Sequence, residues 1–367
     1  MKATVAILLL ETAFLALGQA AYGSSSVVNT KHNLSVSGPG ELKSTVETRV
    51  CIFCHTPHHA NEDKRLEVNP LWSREASSVT YDPYFSETMQ ATTKPGQPTG
   101  TSRLCLSCHD GSIALGMLKG NYQLPGITSR ITPDRSSYIG SDLRNDHPVS
   151  FPYDSMLSTK DLELNAPSTL PPEIRLERNT NFVQCTTCHN PHKDPSPPNS
   201  KFLVLPNYKN GTQLCIACHN KSGWSANVHS TADATKLDGC EICHKPHGAN
   251  GVNYAPLLGN RYEYRTQHQY DAGGYSLCLR CHAEADILDP LHPEKTKFPK
   301  HYSHVVTQGY PCIACHPSHG VTINDAAHAH LVEFSSIFVT SGTYDSVTKS
   351  CNVTCHPTTH LTNPKYY

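Results

Sequence analysis

The chain has 367 residues, room for two or three domains, but only 37% of it is hydrophobic and 27 residues are proline. That is too little apolar material, with too many breaks, for large regular cores built from side chains alone. A formal net charge of −1 offers no basic face to phosphates, so the electrostatic footprint of a nucleic-acid binder is missing.

In chain order the first element is a leader. Residues 1–23, MKATVAILLLETAFLALGQAAYG, place Lys2 before an apolar run that ends in small residues, the layout of a removable export signal. Glu11 interrupts the run, and the stretch is short for a membrane anchor, the competing reading. No later run approaches the roughly 20 apolar residues that span a bilayer, so the rest is read as exported and not membrane-spanning.

Sixteen cysteines follow, and export alone would make them a disulfide framework. Their arrangement argues otherwise, because they form eight close pairs and each pair is followed at once by histidine. Seven are CxxCH: Cys51/Cys54/His55, Cys105/Cys108/His109, Cys185/Cys188/His189, Cys215/Cys218/His219, Cys240/Cys243/His244, Cys278/Cys281/His282 and Cys312/Cys315/His316. The eighth, CNVTCH, is one residue longer: Cys351/Cys355/His356. Accidental placement of all eight histidines has odds of about 10⁻¹⁰, and CxxCH is the attachment signature of haem c. Disulfides and structural zinc both leave the adjacent histidines unexplained. On a helical turn, positions i, i+3 and i+4 share a face, so two thiols and an imidazole reach one porphyrin from the same side. Eight covalent haems would then fill the interior. In CNVTCH an ideal helix turns the imidazole about 100° off that face, which weakens the reading at this motif.

Each motif histidine is expected to fill one axial position of an iron, leaving eight opposite positions for the fifteen other histidines. Four motifs continue with a histidine three residues on: His58, His192, His247 and His319. Three residues cannot carry a chain around a macrocycle, so these must serve a haem other than their own. A repeat appears, LCxxCH, then a gap with a histidine, then CxxCHxxH. It runs from Leu104 to His192 around His147, from Leu214 to His247 around His229, and from Leu277 to His319 around His301 or His304; the N-terminal region supplies half a unit with His32 and His58. Three full repeats and one half repeat give eight spare histidines for eight haems. The expected distal set is His32, His58, His147, His192, His229, His247, His319 and either His301 or His304. His59, His268, His292, His328, His330 and His360 are expected elsewhere, with His330 and His360 as substitutes.

The sequence predicts short helical turns around the motifs, proline-rich loops at 164–173 and 194–200, and a short strand pair around 331–342, before the last motif. Tyr153, Trp224, Tyr262, Tyr264 and Tyr302 are candidates for haem edges, with ordinary packing as the plainer reading. The segments follow the motifs: leader 1–23, half repeat 24–103, second and third motifs 104–193, fourth and fifth 194–248, sixth and seventh 249–320, eighth 321–367. The fold class expected is mostly irregular, with short helices and a few short strands.

KHNLSVSGPG (31–40), CIFCHTPH (51–58), LCLSCHDG (104–111), DHPVSF (146–151), CTTCHNPH (185–192), CEICHKPHG (240–248), CIACHPSHG (312–320) and CNVTCH resemble blocks of the doubled-CxxCH class of exported multihaem c-type cytochromes. The resemblance implies a multihaem cytochrome c fold packed around a haem chain, in a periplasmic or outer-surface electron carrier of metal-respiring and related anaerobic bacteria. Its implied partners are other redox proteins, such as cytochromes and quinol-linked donors, or extracellular acceptors. Some members assemble into extracellular filaments, so a homo-oligomer or filament is one expectation. A multihaem reductase acting on nitrite, hydroxylamine or sulfur oxyanions is the other alternative; it needs an iron with an open position, and no substituted motif such as CxxCK occurs. Electron transfer without a catalytic residue is the leading expectation.

Eight haems would add sixteen propionates against eight formally cationic ferric centres. The loaded protein should then carry about 9 negative charges oxidised and about 17 reduced, despite a sequence pI near 7.1. Isoelectric focusing of the oxidised holoprotein should place it well below neutrality; focusing above pH 7 would contradict the haem count.

Overall fold

The computed structural model describes residues 25–64, 70–194, 201–205, 212–221, 223–231, 239–249, 257–265, 268–292, 295–296, 298, 300–320, 332–345 and 350–355. The leader, His328, His330, His356 and His360 lie outside the described residues. Among the described residues no helix is long and apolar enough to cross a membrane.

Regular structure is sparse. The longest helix, Gly100–His109, has 10 residues and carries the second motif at its C-terminal end. It starts at a glycine with φ +51°, where a Cβ would run into the Glu177 carboxylate; that carboxylate accepts from Thr101 N at 3.0 Å. The other described CxxCH motifs are single helical turns. Each closes on itself, the histidine N–H donating to the first cysteine's carbonyl: His55 to Cys51 (2.8 Å), His189 to Cys185 (2.9 Å), His219 to Cys215 (2.9 Å), His244 to Cys240 (2.9 Å), His282 to Cys278 (3.0 Å) and His316 to Cys312 (2.9 Å).

Among the described residues the strands pair antiparallel in four two-stranded sheets. Three are minimal: β1 (Ser25–Ser26) with β6 (Lys193–Asp194), β2 (Met117–Leu118) with β3 (Tyr122–Gln123), and β4 (Phe151–Pro152) with β5 (Phe182–Val183). The fourth is a hairpin of β7 (Val339–Asp345) and β8 (Ser350–Cys355). It begins later than the sequence predicts, because Phe338 and Val339 both donate to Ser335 O and close a turn first. It also corrects the reading of the eighth motif. Cys351 through Cys355 is a strand, not a helical turn, so the backbone at the two cysteines stands about 13 Å apart along the chain.

Among the described residues the buried apolar side chains fall into five small clusters, the largest with six: Phe53, Leu115, Leu118, Leu124, Ile127 and Ile131. Most clusters abut a motif: Cys54 and Cys108 pack on the first, Cys218 on the second, Cys312 on the fourth and Cys315 on the fifth. No cluster is large enough to organise the chain alone, so the interior is distributed along the row of motifs.

Arg74 joins the first two motif regions. Fully buried, it donates from Nη1 to Leu115 O (2.6 Å) and from Nη2 to Ala114 O (2.8 Å), while its own carbonyl accepts from Asn61 Nδ2 (2.8 Å). Arg74→Ala strands two buried carbonyls, so thermal or denaturant unfolding of the holoprotein should show a loss of about 3 kcal/mol. An unchanged midpoint would contradict this role.

Candidate functional site

The sites are built from imidazole pairs. Seven motif histidines each face a histidine from a distant part of the chain. His55 faces His192 with ring centroids 5.9 Å apart, and His109 faces His32 at 6.2 Å. His189 faces His247 at 6.0 Å, and His219 faces His147 at 6.2 Å. His244 faces His319 at 5.8 Å, His282 faces His229 at 6.1 Å, and His316 faces His301 at 6.1 Å. Imidazole–metal bonds are about 2 Å long, and the ring nitrogen lies about 1 Å from the ring centre. Two rings axial to one iron therefore have centroids about 6 Å apart. A facing pair of imidazoles would fill two positions of a six-coordinate iron, and a porphyrin would supply the other four.

The ring planes alternate along the chain. At the odd-numbered motifs the paired rings are close to parallel, with interplanar angles of 16°, 34°, 12° and 26°. At the even-numbered ones they are close to perpendicular, at 81°, 80° and 72°.

Hydrogen bonds at Nδ1 fix several of these rings and leave Nε2 for a metal. His55 bonds Pro70 O (2.7 Å), His109 bonds Ser137 O (2.7 Å), His189 bonds Lys201 O (2.8 Å) and His32 bonds Pro191 O (3.1 Å). His147 bonds Pro148 O (3.1 Å), His229 bonds Ser318 O (3.3 Å), His301 contacts Thr296 Oγ1 (3.2 Å) and His247 bonds the Asp146 carboxylate (2.9 Å). Burial favours the neutral form, the one that binds iron, at nine of these rings. It takes His32 and His189 down to about 4, and His219 and His319 down to about 3. His109, His147, His192, His282 and His301 are lowered by the same cause. At His247 burial pulls down as well, but the Asp146 hydrogen bond and charge outweigh it and the net direction is up.

The cysteines set the order of the sites. First cysteines come within hydrogen-bond reach between the second and third motifs (Cys105, Cys185), the fourth and fifth (Cys215, Cys240) and the sixth and seventh (Cys278, Cys312). Second cysteines are close enough for their charges to interact between the first and second (Cys54, Cys108), the third and fourth (Cys188, Cys218) and the fifth and sixth (Cys243, Cys281). The seven motifs therefore stand in one row in sequence order, alternating contact edges. Val339, opposite Cys355 in the hairpin, packs with Ala314 and Cys315, which puts the eighth motif's strand beside the seventh motif.

A family model for the doubled CXXCH motif matches residues 180–223 and 233–287. These matches cover the third to sixth motifs and support a multihaem c-type cytochrome with covalently bound haem c and a role in electron transfer. No curated protein matches the chain.

Of the distal histidines expected from sequence, His32, His147, His192, His229, His247 and His319 each face a motif histidine. Between His301 and His304 the geometry separates the two: His301 faces His316, whereas the exposed His304 packs on Phe298 and bonds Lys300 O (2.9 Å). His58 is exposed, and among the described residues no ring faces it. His268 bonds Arg265 O and Tyr275 Oη. Histidines three residues after a motif serve the motif two places earlier, so His192, His247 and His319 reach back to the first, third and fifth. Histidines upstream of the first, third and fifth motifs serve the next motif along, so His32, His147 and His229 go to the second, fourth and sixth.

Two sets of residues escaped the sequence reading. After the first, third and fifth motifs the chain returns as an isolated bridge, pairing His55 with Trp72, His189 with Leu203 and His244 with Leu258. The residues Leu71, Phe202 and Leu257 just before each bridge have positive φ. An apolar dipeptide at a similar distance after each of these motifs (Leu71-Trp72, Phe202-Leu203, Leu257-Leu258) was the available signal. Two of the aromatic candidates brace motif backbones: Tyr153 Oη donates to Cys218 O (3.2 Å) and Asn165 O (2.6 Å), and Tyr262 Oη accepts from Ile313 N (2.8 Å). Tyr264 packs edge-on against Tyr262, Trp224 opens a short helical turn, and Tyr302 is exposed.

Proposed function

We propose that this chain is an exported octahaem electron conduit, each CxxCH or CxxxCH motif binding one haem whose iron is closed on both sides by imidazole. The observation that carries the reading is the set of seven imidazole pairs at the spacing of two axial ligands, one at every described CxxCH histidine. A bound haem c supplies the iron that takes up and gives up one electron. The paired histidines would hold that iron from both sides and leave no position open to a substrate. The cysteine contacts argue for sites in file from the first motif to the eighth, with neighbours touching at alternate edges. At the eighth motif, attachment of both cysteines to one porphyrin requires β8 to shorten.

Protein-film voltammetry tests this. Reversible one-electron waves should appear with no catalytic current on adding nitrite, hydroxylamine or sulfite. A catalytic current with any of them would replace the conduit by a reductase.

A second reading, subunit of a filament, is favoured by His58. It sits beside the first motif with no ring facing it among the described residues, while the eighth motif lies at the other end of the row. Head-to-tail copies would bring those ends together in a heterologous, non-closing contact. Size-exclusion chromatography with light scattering across a concentration series should then show oligomers that the His58→Ala variant loses. Monomer alone at the highest concentration would count against it.

A further inference from the structure

The segment around Asp146 is bonded to the segment after the fifth motif at three points. His147 N donates to Pro246 O (2.7 Å) and Ala249 N donates to Asn145 O (2.9 Å), and His247 Nδ1 meets Asp146 Oδ1 (2.9 Å). Asp146 is buried. Its second oxygen accepts from the Asn145 amide (2.9 Å) once that amide is turned to face its acceptors, Asp146 Oδ2 and Asp142 O. The clamp aims two imidazoles at two neighbouring sites, His147 toward His219 and His247 toward His189.

At His32, His55, His109, His147, His189 and His229 the Nδ1 partner is a backbone carbonyl and at His301 a hydroxyl, whereas at His247 it is a carboxylate. A carboxylate acceptor draws the Nδ1 proton toward itself and makes the opposite nitrogen a stronger donor to a metal. A buried negative charge beside the site favours the more positive oxidation state for the same Coulombic reason. Both effects have one sign.

We propose that Asp146 is a potential-setting residue: through His247 it lowers the reduction potential of the haem between His189 and His247, making the third site a fixed step within the row. This rests on the ligation reading above. The Asp146→Asn variant keeps the shape and a hydrogen-bond acceptor but removes the charge; Asp146→Glu keeps the charge.

The test is a redox titration of each holoprotein, followed by visible absorption and low-temperature EPR. In Asp146→Asn all irons should stay low spin, while one haem becomes easier to reduce by about tenfold in its equilibrium constant, about 59 mV for one electron. Asp146→Glu should restore the wild-type curve. Unchanged potentials in a low-spin Asp146→Asn protein would overturn the inference and leave the ligation reading standing. A high-spin signal in Asp146→Asn alone would also overturn it, by making Asp146 a purely structural clamp. A high-spin signal already present in the wild type would instead bring down the ligation reading itself.

Discussion

His319→Ala should open one iron and only one. The His319 ring lies 5.8 Å from that of His244, and among the described residues the neighbouring imidazoles His219 and His229 already face His147 and His282. One haem in the file should turn five-coordinate and high spin, bind carbon monoxide when reduced, and acquire reactivity toward small nitrogen ligands that the parent lacks. The effect is large because it exchanges a saturated relay for a catalytic vacancy. A paired control sharpens it: His301→Ala should open the site at His316, whereas His304→Ala should leave the spectrum unchanged, since the exposed His304 ring bonds Lys300 O and among the described residues faces no motif histidine. A low-spin spectrum in His319→Ala, or a high-spin one in His304→Ala, would contradict the pairing.

The chain should not fold without its cofactors. The largest apolar cluster has six buried side chains, the longest helix has 10 residues, and three of the four sheets pair strands of two residues. Isolated helices and hairpins of such lengths are marginal in water. The conformational entropy of ordering, about 1–2 kcal/mol per residue, must be met by burial that these clusters alone do not supply. Covalently held macrocycles between the clusters would supply it, coupling cofactor attachment to folding as structural metals do in small domains. Expressed without haem attachment, the chain should show little regular circular dichroism and be cleaved rapidly by protease, while the holoprotein resists under the same conditions. A protease-resistant, cooperatively unfolding apoprotein would contradict this.

What was legible in the sequence was chemistry confined to short spacing. The seven CxxCH turns could be read because attachment fixes i, i+3 and i+4 within one helical turn, and the repeat followed from the histidine three residues on. The partner of each motif was not legible, since it depends on the path of the chain. His247 comes to rest against His189 because residues 145–147 bond to residues 246–249, contacts separated by about a hundred residues that no local pattern encodes. His301 and His304 lie three residues apart on a single turn and both rings touch Phe298; only the tertiary setting brings His301, and not the exposed His304, against His316. The eighth motif misled for a local reason: the extra residue and the β-branched Val353 and Thr354 favour a strand, which β8 forms with β7.

The alternation of ring planes connects this geometry to a spectrum. Low-spin ferric haems with parallel axial imidazoles and those with perpendicular ones give distinct EPR signals, so the site geometry can be read without a substrate. The most direct measurement is low-temperature EPR of the fully oxidised holoprotein, quantified against a pyridine haemochrome count. All iron should be low spin, and the seven paired sites should fall into two groups, a near-parallel one from the sites of His55, His189, His244 and His316 and a strongly anisotropic one from those of His109, His219 and His282. A high-spin ferric component that shifts on adding nitrite or hydroxylamine would contradict the closed relay.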